Sequence, residues 1–435
     1  MSSSLGAQTT NPTPRLRFKS MPPLLDLPTE ILGGVLACLA QVDLARVCRV
    51  SRHLCSIAER LLYQDVGLST LHTSVPQIQI FLRTILSRPI LAGRVQSLAI
   101  QWHNVTTDTT TSSSDQDRMD PKEIALLSAA GSPVHLELGF QKQEQYIKLL
   151  FHLLPRLVIL QLSPPFGLDI FDGHQSEQKQ MVLSQLRRIH CHWVFDRHAT
   201  THASFAAMLM LPCIETLDLR IVGGFDGQGM DWNGVDCIGK STVTDLRLSY
   251  SDMSIENLAI VLAIPRALTR FSCKNLPLDR HFDGPKLGAV LKRRVGTTLK
   301  YLALNWGVDA HLYTGGRLGN WKARFAIGSM REWPVLWGLK CSLTLLLGMG
   351  REAAVVKLCD VLPKALREWD IELDEWWTVQ DIADEVMGLL EAGGMDLLKV
   401  ITIPSRADKV AGGLRVKCEV HGVQLVAGGV RKDGL

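Results

Sequence analysis

Ile214-Glu215-Thr216-Leu217-Asp218-Leu219, Val243-Thr244-Asp245-Leu246-Arg247-Leu248 and Leu268-Thr269-Arg270-Phe271-Ser272-Cys273 share one pattern: apolar, two polar, apolar, polar, apolar. The second half of each alternates, which marks a strand with one face buried. The pattern recurs outward in both directions. Upstream it stands at Val95/Leu98/Ile100, Leu157/Leu160/Leu162 and Leu186/Ile189/Cys191, with a partial copy at Leu136/Leu138. Downstream it stands at Leu299/Leu302/Leu304, Leu336/Leu339/Cys341, Leu366/Trp369/Ile371 and Leu398/Ile401/Ile403. Starts lie 24 to 38 residues apart. Between them run segments of helical period, for example Ile255 to Ile264, Glu352 to Leu362 and Val379 to Leu390. Pro155, Pro212, Pro265 and Pro363 stand two or three residues ahead of the next pattern, where a proline stops a helix and resets the chain. No single unit of this kind can bury its apolar face, so the units must stack. The expected fold class is α/β, with one parallel sheet and helices outside it.

One strand and one helix in about 30 residues is the period of leucine-rich repeats. The expected architecture for residues 69–435 is therefore an irregular leucine-rich-repeat solenoid, its sheet on the concave side. Two stretches interrupt it. Val105 to Asp120 is rich in Thr, Ser and Asp, and Val222 to Lys240 is rich in Gly and Asp; both read as loops. Val416, Cys418 and Val420 alternate and suggest a last strand closing the sheet. The block IGSMREWPVLWGLKCSLTLLLG, with LPKALREWDIELDEWW and LLKVITI after it, resembles the degenerate leucine-rich arrays of fungal F-box proteins.

The other end of the chain supports the same resemblance. Residues 1–22 are Ser-, Thr- and Pro-rich and read as disordered. Residues 23–68 read as a helical module. Pro28 suits the first position of a helix and Glu30 complements its dipole. Apolar residues follow at Ile31, Leu32, Val35, Leu36 and Leu39. A second pattern starts near Val42-Asp43-Leu44, and a third from Ser51 carries Leu54, Ile57, Ala58, Leu61 and Leu62. The string LPTEIL, the Asp-Leu start, Val50-Ser51-Arg52, Ala58-Glu59 and Leu62-Tyr63 resemble an F-box. That resemblance implies docking on the Skp-type linker of a cullin–RING ubiquitin ligase. It places the linker contacts at Leu27, Pro28, Ile31, Leu32, Val35, Leu36 and Leu39. Gly33-Gly34 departs from the pattern, since each glycine costs about 1 kcal/mol in a helix interior. A weakened first helix or a close backbone contact is expected there. The alternative is a three-helix cap with no partner.

Composition narrows the classes further. Hydrophobic residues make up 46% of 435, which excludes a mainly disordered chain. A net charge of +4, from 47 basic and 43 acidic residues, gives no sign of nucleic-acid or membrane binding. The ten cysteines include no CxxC pair and read as reduced thiols of a cytoplasmic or nuclear protein. The first residues lack the apolar core of a signal peptide, and no apolar run reaches membrane-spanning length.

Two motifs hint at chemistry. Gly234-Val235-Asp236-Cys237-Ile238-Gly239-Lys240-Ser241 matches the letters of a phosphate-binding P-loop. That chemistry needs a strand before it and a helix after it; here a polar loop precedes and a strand follows. His190, Cys191 and His192, with His198 and His202 nearby, offer zinc ligand types. Strand alternation opposes this, because it turns Cys191 away from both histidines. No catalytic constellation, metal or cofactor is expected.

The positions flanking each central apolar residue should face the concave side. There Arg188, His190, Arg220, Arg247, Arg270 and Lys274 make the centre basic, and Glu368, Asp370 and Glu372 make the far end acidic. The resemblance and this surface imply a non-catalytic substrate receptor of an SCF-type ligase, with linker, cullin and a protein substrate as partners. A leucine-rich interaction scaffold without ligase association is the alternative.

Overall fold

Pro28 sits at φ −53° and ψ 146°, extended, so it caps the first helix rather than opening it. The computed structural model describes residues 26–69, 77–101, 141–163, 183–192, 202–220, 237–249, 253–276, 283–306, 325–351, 356–374, 376–404 and 411–428. Residues 1–22, Leu136/Leu138, Val105 to Asp120, His198 and most of Val222 to Lys240 lie outside them.

The chain divides into two compact units, Met1–Gln64 and Asp65–Leu435. In the first, α1 (Thr29–Leu36), α2 (Gln41–Val47) and α3 (Arg52–Leu62) follow one another. Ser51 caps α3 by accepting the Leu54 N–H at 3.2 Å. Leu32, Leu36, Leu44, Leu54, Ile57 and Ala58 form the core, with Leu27, Val47, Cys48, Leu61 and Leu62 against it. The helix α1 runs unbroken through Gly33-Gly34. A Cβ at Gly33 would meet only Ile57 Cγ2, at 4.0 Å, and one at Gly34 would meet nothing within 4 Å. No close backbone contact within the described residues requires either glycine.

The second unit holds a 12-stranded sheet, all pairs parallel, with the strands in chain order. These are β1 (Asp65–Ser69), β2 (Ser97–Gln101), β3 (Ile159–Ser163), β4 (Arg188–His192), β5 (Thr216–Arg220) and β6 (Asp245–Ser249). They continue as β7 (Arg270–Leu276), β8 (Tyr301–Trp306), β9 (Gly338–Ser342), β10 (Glu368–Glu372), β11 (Val400–Pro404) and β12 (Gln424–Gly428). The ten segments expected from the repeat are β2 to β11. The second and fourth positions of each are buried, for example Leu217 and Leu219, Leu246 and Leu248, Phe271 and Cys273.

Registration begins one residue ahead of each strand. The carbonyl of Glu215 accepts two N–H groups, from Thr244 (2.9 Å) and Asp245 (3.0 Å). Thr244 does the same for Thr269 and Arg270, and Thr269 for Lys300 and Tyr301. The chain of shared carbonyls continues through Lys300, Trp337 and Arg367. Threonine hydroxyls tighten it: Thr242 donates to the Ile214 carbonyl at 2.7 Å and Thr298 to that of Leu268 at 2.8 Å.

Parallel neighbours need a crossover, and helices supply several. They are α4 (Gln77–Ser87), α5 (Pro89–Ala92), α6 (Gln141–Leu153), α7 (His202–Leu209), α8 (Ile255–Val261), α9 (Gly284–Val295), α10 (Leu343–Leu347), α11 (Leu358–Val361), α12 (Val379–Ala392) and α13 (Ala411–Val420). Thr378 and Asp381 form a reciprocal capping box on α12. Glu352 to Leu362 gives only the short α11 among its described residues. The expected terminal strand around Cys418 is instead α13, whose Leu414 and Cys418 are buried one turn apart while Val416 and Val420 are exposed. The alternation of Val416, Cys418 and Val420 was carried by two surface valines. Gly422, at φ +69°, turns the chain into β12.

In α9, a Cβ on Gly288 would fall on the Ile327 carbonyl oxygen, and one on Gly284 would lie 2.5 Å from that of Phe325. Backbone cannot yield as a flexible side chain can. Gly288→Ala is expected to cost about 3 kcal/mol or more, read as a lower urea midpoint, whereas Gly388→Ala, with open space around it, is expected to gain a fraction of a kcal/mol.

Candidate functional site

Two surfaces carry the expected binding residues, one on each unit. On the first, α1 has two stripes one residue apart. Leu32 and Leu36 point in and are buried. Ile31 and Val35 point out, 54% and 48% exposed, and Leu39 extends their line at 36%. Val42 and Val50 add to the uncovered apolar surface. Single exposed apolar residues are ordinary, but Ile31 and Val35, four apart on α1, share one exposed helix face. Of the expected linker contacts, Pro28, Ile31, Val35 and Leu39 are exposed and Leu27 is half-buried. Leu32 and Leu36 are placed differently, because the three-helix core claims them first. Val42 and Val50 were not among the expected contacts; their exposure depends on how α2 and α3 pack, which helical period alone does not give.

On the second unit, the first, third and fifth strand positions form a polar face whose residues align in rows. The first row runs Arg188, Thr216, Asp245, Arg270, Tyr301 and Gly338. The third runs His190, Asp218, Arg247, Ser272, Ala303 and Lys340. The fifth runs His192, Arg220, Ser249 and Lys274. The expected residues therefore do come together, but they do not carry equal charge outward. Arg247 grips Asp245 of its own strand with two bonds, at 3.2 and 2.8 Å. Arg270 leans on the same carboxylate at 3.7 Å and lies 4.6 Å over the Tyr301 ring. Gly338 makes room for that ring: a Cβ there would meet Tyr301 Cδ2 at 2.5 Å.

His190 Nδ1 stands 3.5 Å from Asp218 Oδ2. Burial pushes the Asp218 carboxyl up, but His190, Arg247 and Arg220 together outweigh it and hold it below the usual carboxylate range. Burial, then the charge of Arg220, holds His192 below the ordinary imidazole value. At the far end Lys340 lies 3.0 Å from Asp370 and 3.5 Å from Glu372. Burial raises Glu372 despite that lysine.

The chemical motifs resolve plainly. Cys191 is fully buried and burial pushes its thiol well up; Cys273 is pushed up to about 12 by the same cause. Cys191 lies on the opposite face of β4 from His190 and His192. Among the described residues no group of three or more His, Cys, Asp and Glu could hold a metal ion. In the P-loop-like string, Gly239 N–H donates to the Ala263 carbonyl (2.9 Å) and Ser241 N–H to that of Ile264 (3.1 Å). The Ser241 hydroxyl donates to Leu209. These groups are spent on joining units, and β6 rather than a helix follows. Among the described residues no helix is long and apolar enough to cross a membrane.

The helical module with its uncovered stripe has a known relative. Residues 24–69 match the F-box-like family. No curated protein matches the chain. The F-box-like domain supports an F-box protein with a general role in substrate recognition by SCF-type ubiquitin ligases, and F-box domains typically bind Skp-type linkers. The match runs through β1, five residues past the end of the first compact unit.

Two outcomes are expected. Gly34→Ala should steady α1 of the F-box-like module by about 1 kcal/mol, seen as roughly fivefold slower amide exchange in Val35 to Leu39. Asp218 has a depressed folded pKa, so its contribution is present above the unfolded value of about 3.9 and is lost as pH falls through the folded one. Asp218→Asn should therefore show a smaller drop in urea midpoint between pH 5 and pH 3 than the unmodified chain.

Proposed function

We propose that this protein is a substrate-receptor subunit of an SCF-type cullin–RING ubiquitin ligase. The observation that carries this is the coincidence of the F-box-like match at residues 24–69 with the outward stripe Ile31, Val35 and Leu39. In this reading the stripe, with Leu27 and Pro28, enters a groove of the Skp-type linker, and the linker connects to the cullin. Leu32 and Leu36 hold α1 at the right attitude from within. Gly33-Gly34 then has a use that the module itself does not give it, as a smooth strip against the partner.

The second unit, read as a leucine-rich-repeat solenoid, holds the protein substrate on its polar face. The face offers Arg188, His190, Arg220 and Lys274 at its centre, with Arg247 and Arg270 shared with Asp245. The chain does no bond chemistry of its own in this scheme. It raises the local concentration of one protein beside another and orients it, which is where rate is gained when the reacting groups belong to partner subunits. No cofactor or metal is required. Its ten thiols suit a reducing cytoplasm or nucleus.

The test is capture of a recombinant Skp-type linker by the full chain. Fully burying one Ile or Val is worth about 1.5–3 kcal/mol, and a charge in its place adds a desolvation cost. Ile31→Asp with Val35→Asp is expected to weaken capture at least a hundredfold without changing the thermal midpoint. A wild-type chain that captures no linker would leave an interaction scaffold without ligase association.

A further inference from the structure

The sheet ends on an open edge. β12 is its last strand, and among the described residues nothing pairs with the outer side of that strand. The Gln424 N–H donates inward, to the Lys399 carbonyl at 2.8 Å. Backbone groups alternate along a strand, so Leu425 and Ala427 turn their N–H and C=O groups outward. Exposed edges are ordinarily guarded by a charge, a proline or a bulge. Gln-Leu-Val-Ala-Gly has no charge and no proline, and its register with β11 is continuous. The cover on its apolar side is incomplete as well. Leu425 and Ala427 stand level with Ile401 and Ile403, which are buried, yet both are only half-buried.

The helix beside this edge carries charges that complement a copy of itself. In α13, Leu414 and Cys418 face the core, and Lys417 reaches Glu391 of α12 at 2.7 Å. The flank turned away from α12 carries Gly412, Arg415 and Glu419, all exposed. Arg415 and Glu419 lie about one helical turn apart.

We propose that the outer edge of β12 and this flank of α13 form a two-fold interface with a second copy of this chain. An axis through Val426 sets the two β12 strands antiparallel. Leu425 of each copy then exchanges both backbone bonds with Ala427 of the other, and the four half-buried side chains meet on the helix side. The same axis places the two α13 helices side by side and antiparallel, about 8–10 Å apart, the spacing at which helices pack. Arg415 of each copy faces Glu419 of the other, and Gly412 leaves room for the approach. The interface is isologous, so it closes at two copies and uses both β12 edges. It depends neither on the linker nor on the polar face.

Sedimentation equilibrium of the full-length chain tests this. The expected mass is twice the 48.2 kDa of one chain. Arg415→Glu and Glu419→Arg each set like charges together twice, and each variant alone is expected to dissociate at least tenfold more readily. Mixed in equal amounts, the two variants restore the dimer, because each supplies the charge that the other lacks. This recovery also shows that both variants fold. Ala427→Pro removes an outward donor without touching the β11 ladder and is expected to weaken the dimer by at least as much. A wild-type chain that stays monomeric overturns the interface and leaves the edge to another segment. A dimer undiminished by Ala427→Pro or by the single charge reversals overturns it in favour of a different surface. Variants that stay monomeric when mixed overturn the two-fold pairing of Arg415 with Glu419.

Discussion

Everything in the larger unit depends on one shared acceptor per repeat. The residue just before each of β2 to β10 offers its carbonyl to two amides of the next unit, as Glu215 does to Thr244 and Asp245. A carbonyl has two lone pairs, so neither donor is left unsatisfied. The effect is to lock the register before the strand begins. In a sheet with period-two side chains, a slip of one residue would send every buried leucine to the water side. Here the slip would also break two backbone hydrogen bonds per unit. The threonine hydroxyls at 242, 244, 269 and 298 bond to the same stretch of the preceding unit and reinforce the lock.

Fixed register is what gives the polar face its electrostatic order. From β4 to β7 the paired positions align strand by strand, so charges distant in sequence act as neighbours. Asp245 can hold Arg270 in addition to Arg247 of its own strand because β6 and β7 are aligned residue by residue. The absence of a side chain at Gly338 lets Tyr301 lie flat enough to support Arg270. Arginines that share a carboxylate, as Arg247 and Arg270 share Asp245, hold shape rather than carry their full charge outward.

Much of this was legible in the residues. Apolar positions two and four of ten strands could be read directly, because burying one face leaves an unmistakable alternation. The strands β1 and β12 could not: Asp-Val-Gly-Leu-Ser carries a glycine and a single buried side chain, and Gln424 to Gly428 is weakly patterned. The stretch at Cys418 was misleading for a related reason, since period two and period 3.6 cannot be told apart over five residues. On α1, the pattern gave a helix and its apolar width. It did not say which half of that width the module would keep, because that depends on the angle at which α3 crosses it. Likewise the list of cationic residues was readable, and their pairing was not.

The strand order has a further consequence. In most parallel sheets the chain must wait for a distant segment before a central strand can be flanked on both sides. Here each strand lies beside the one made just before it and the one made just after it. A nascent chain emerging from the ribosome therefore meets its template already in place, and assembly can advance at the pace of synthesis. The last unit added would be the most weakly held until synthesis ends, and the region around β5 to β7 would be secured on both sides long before release.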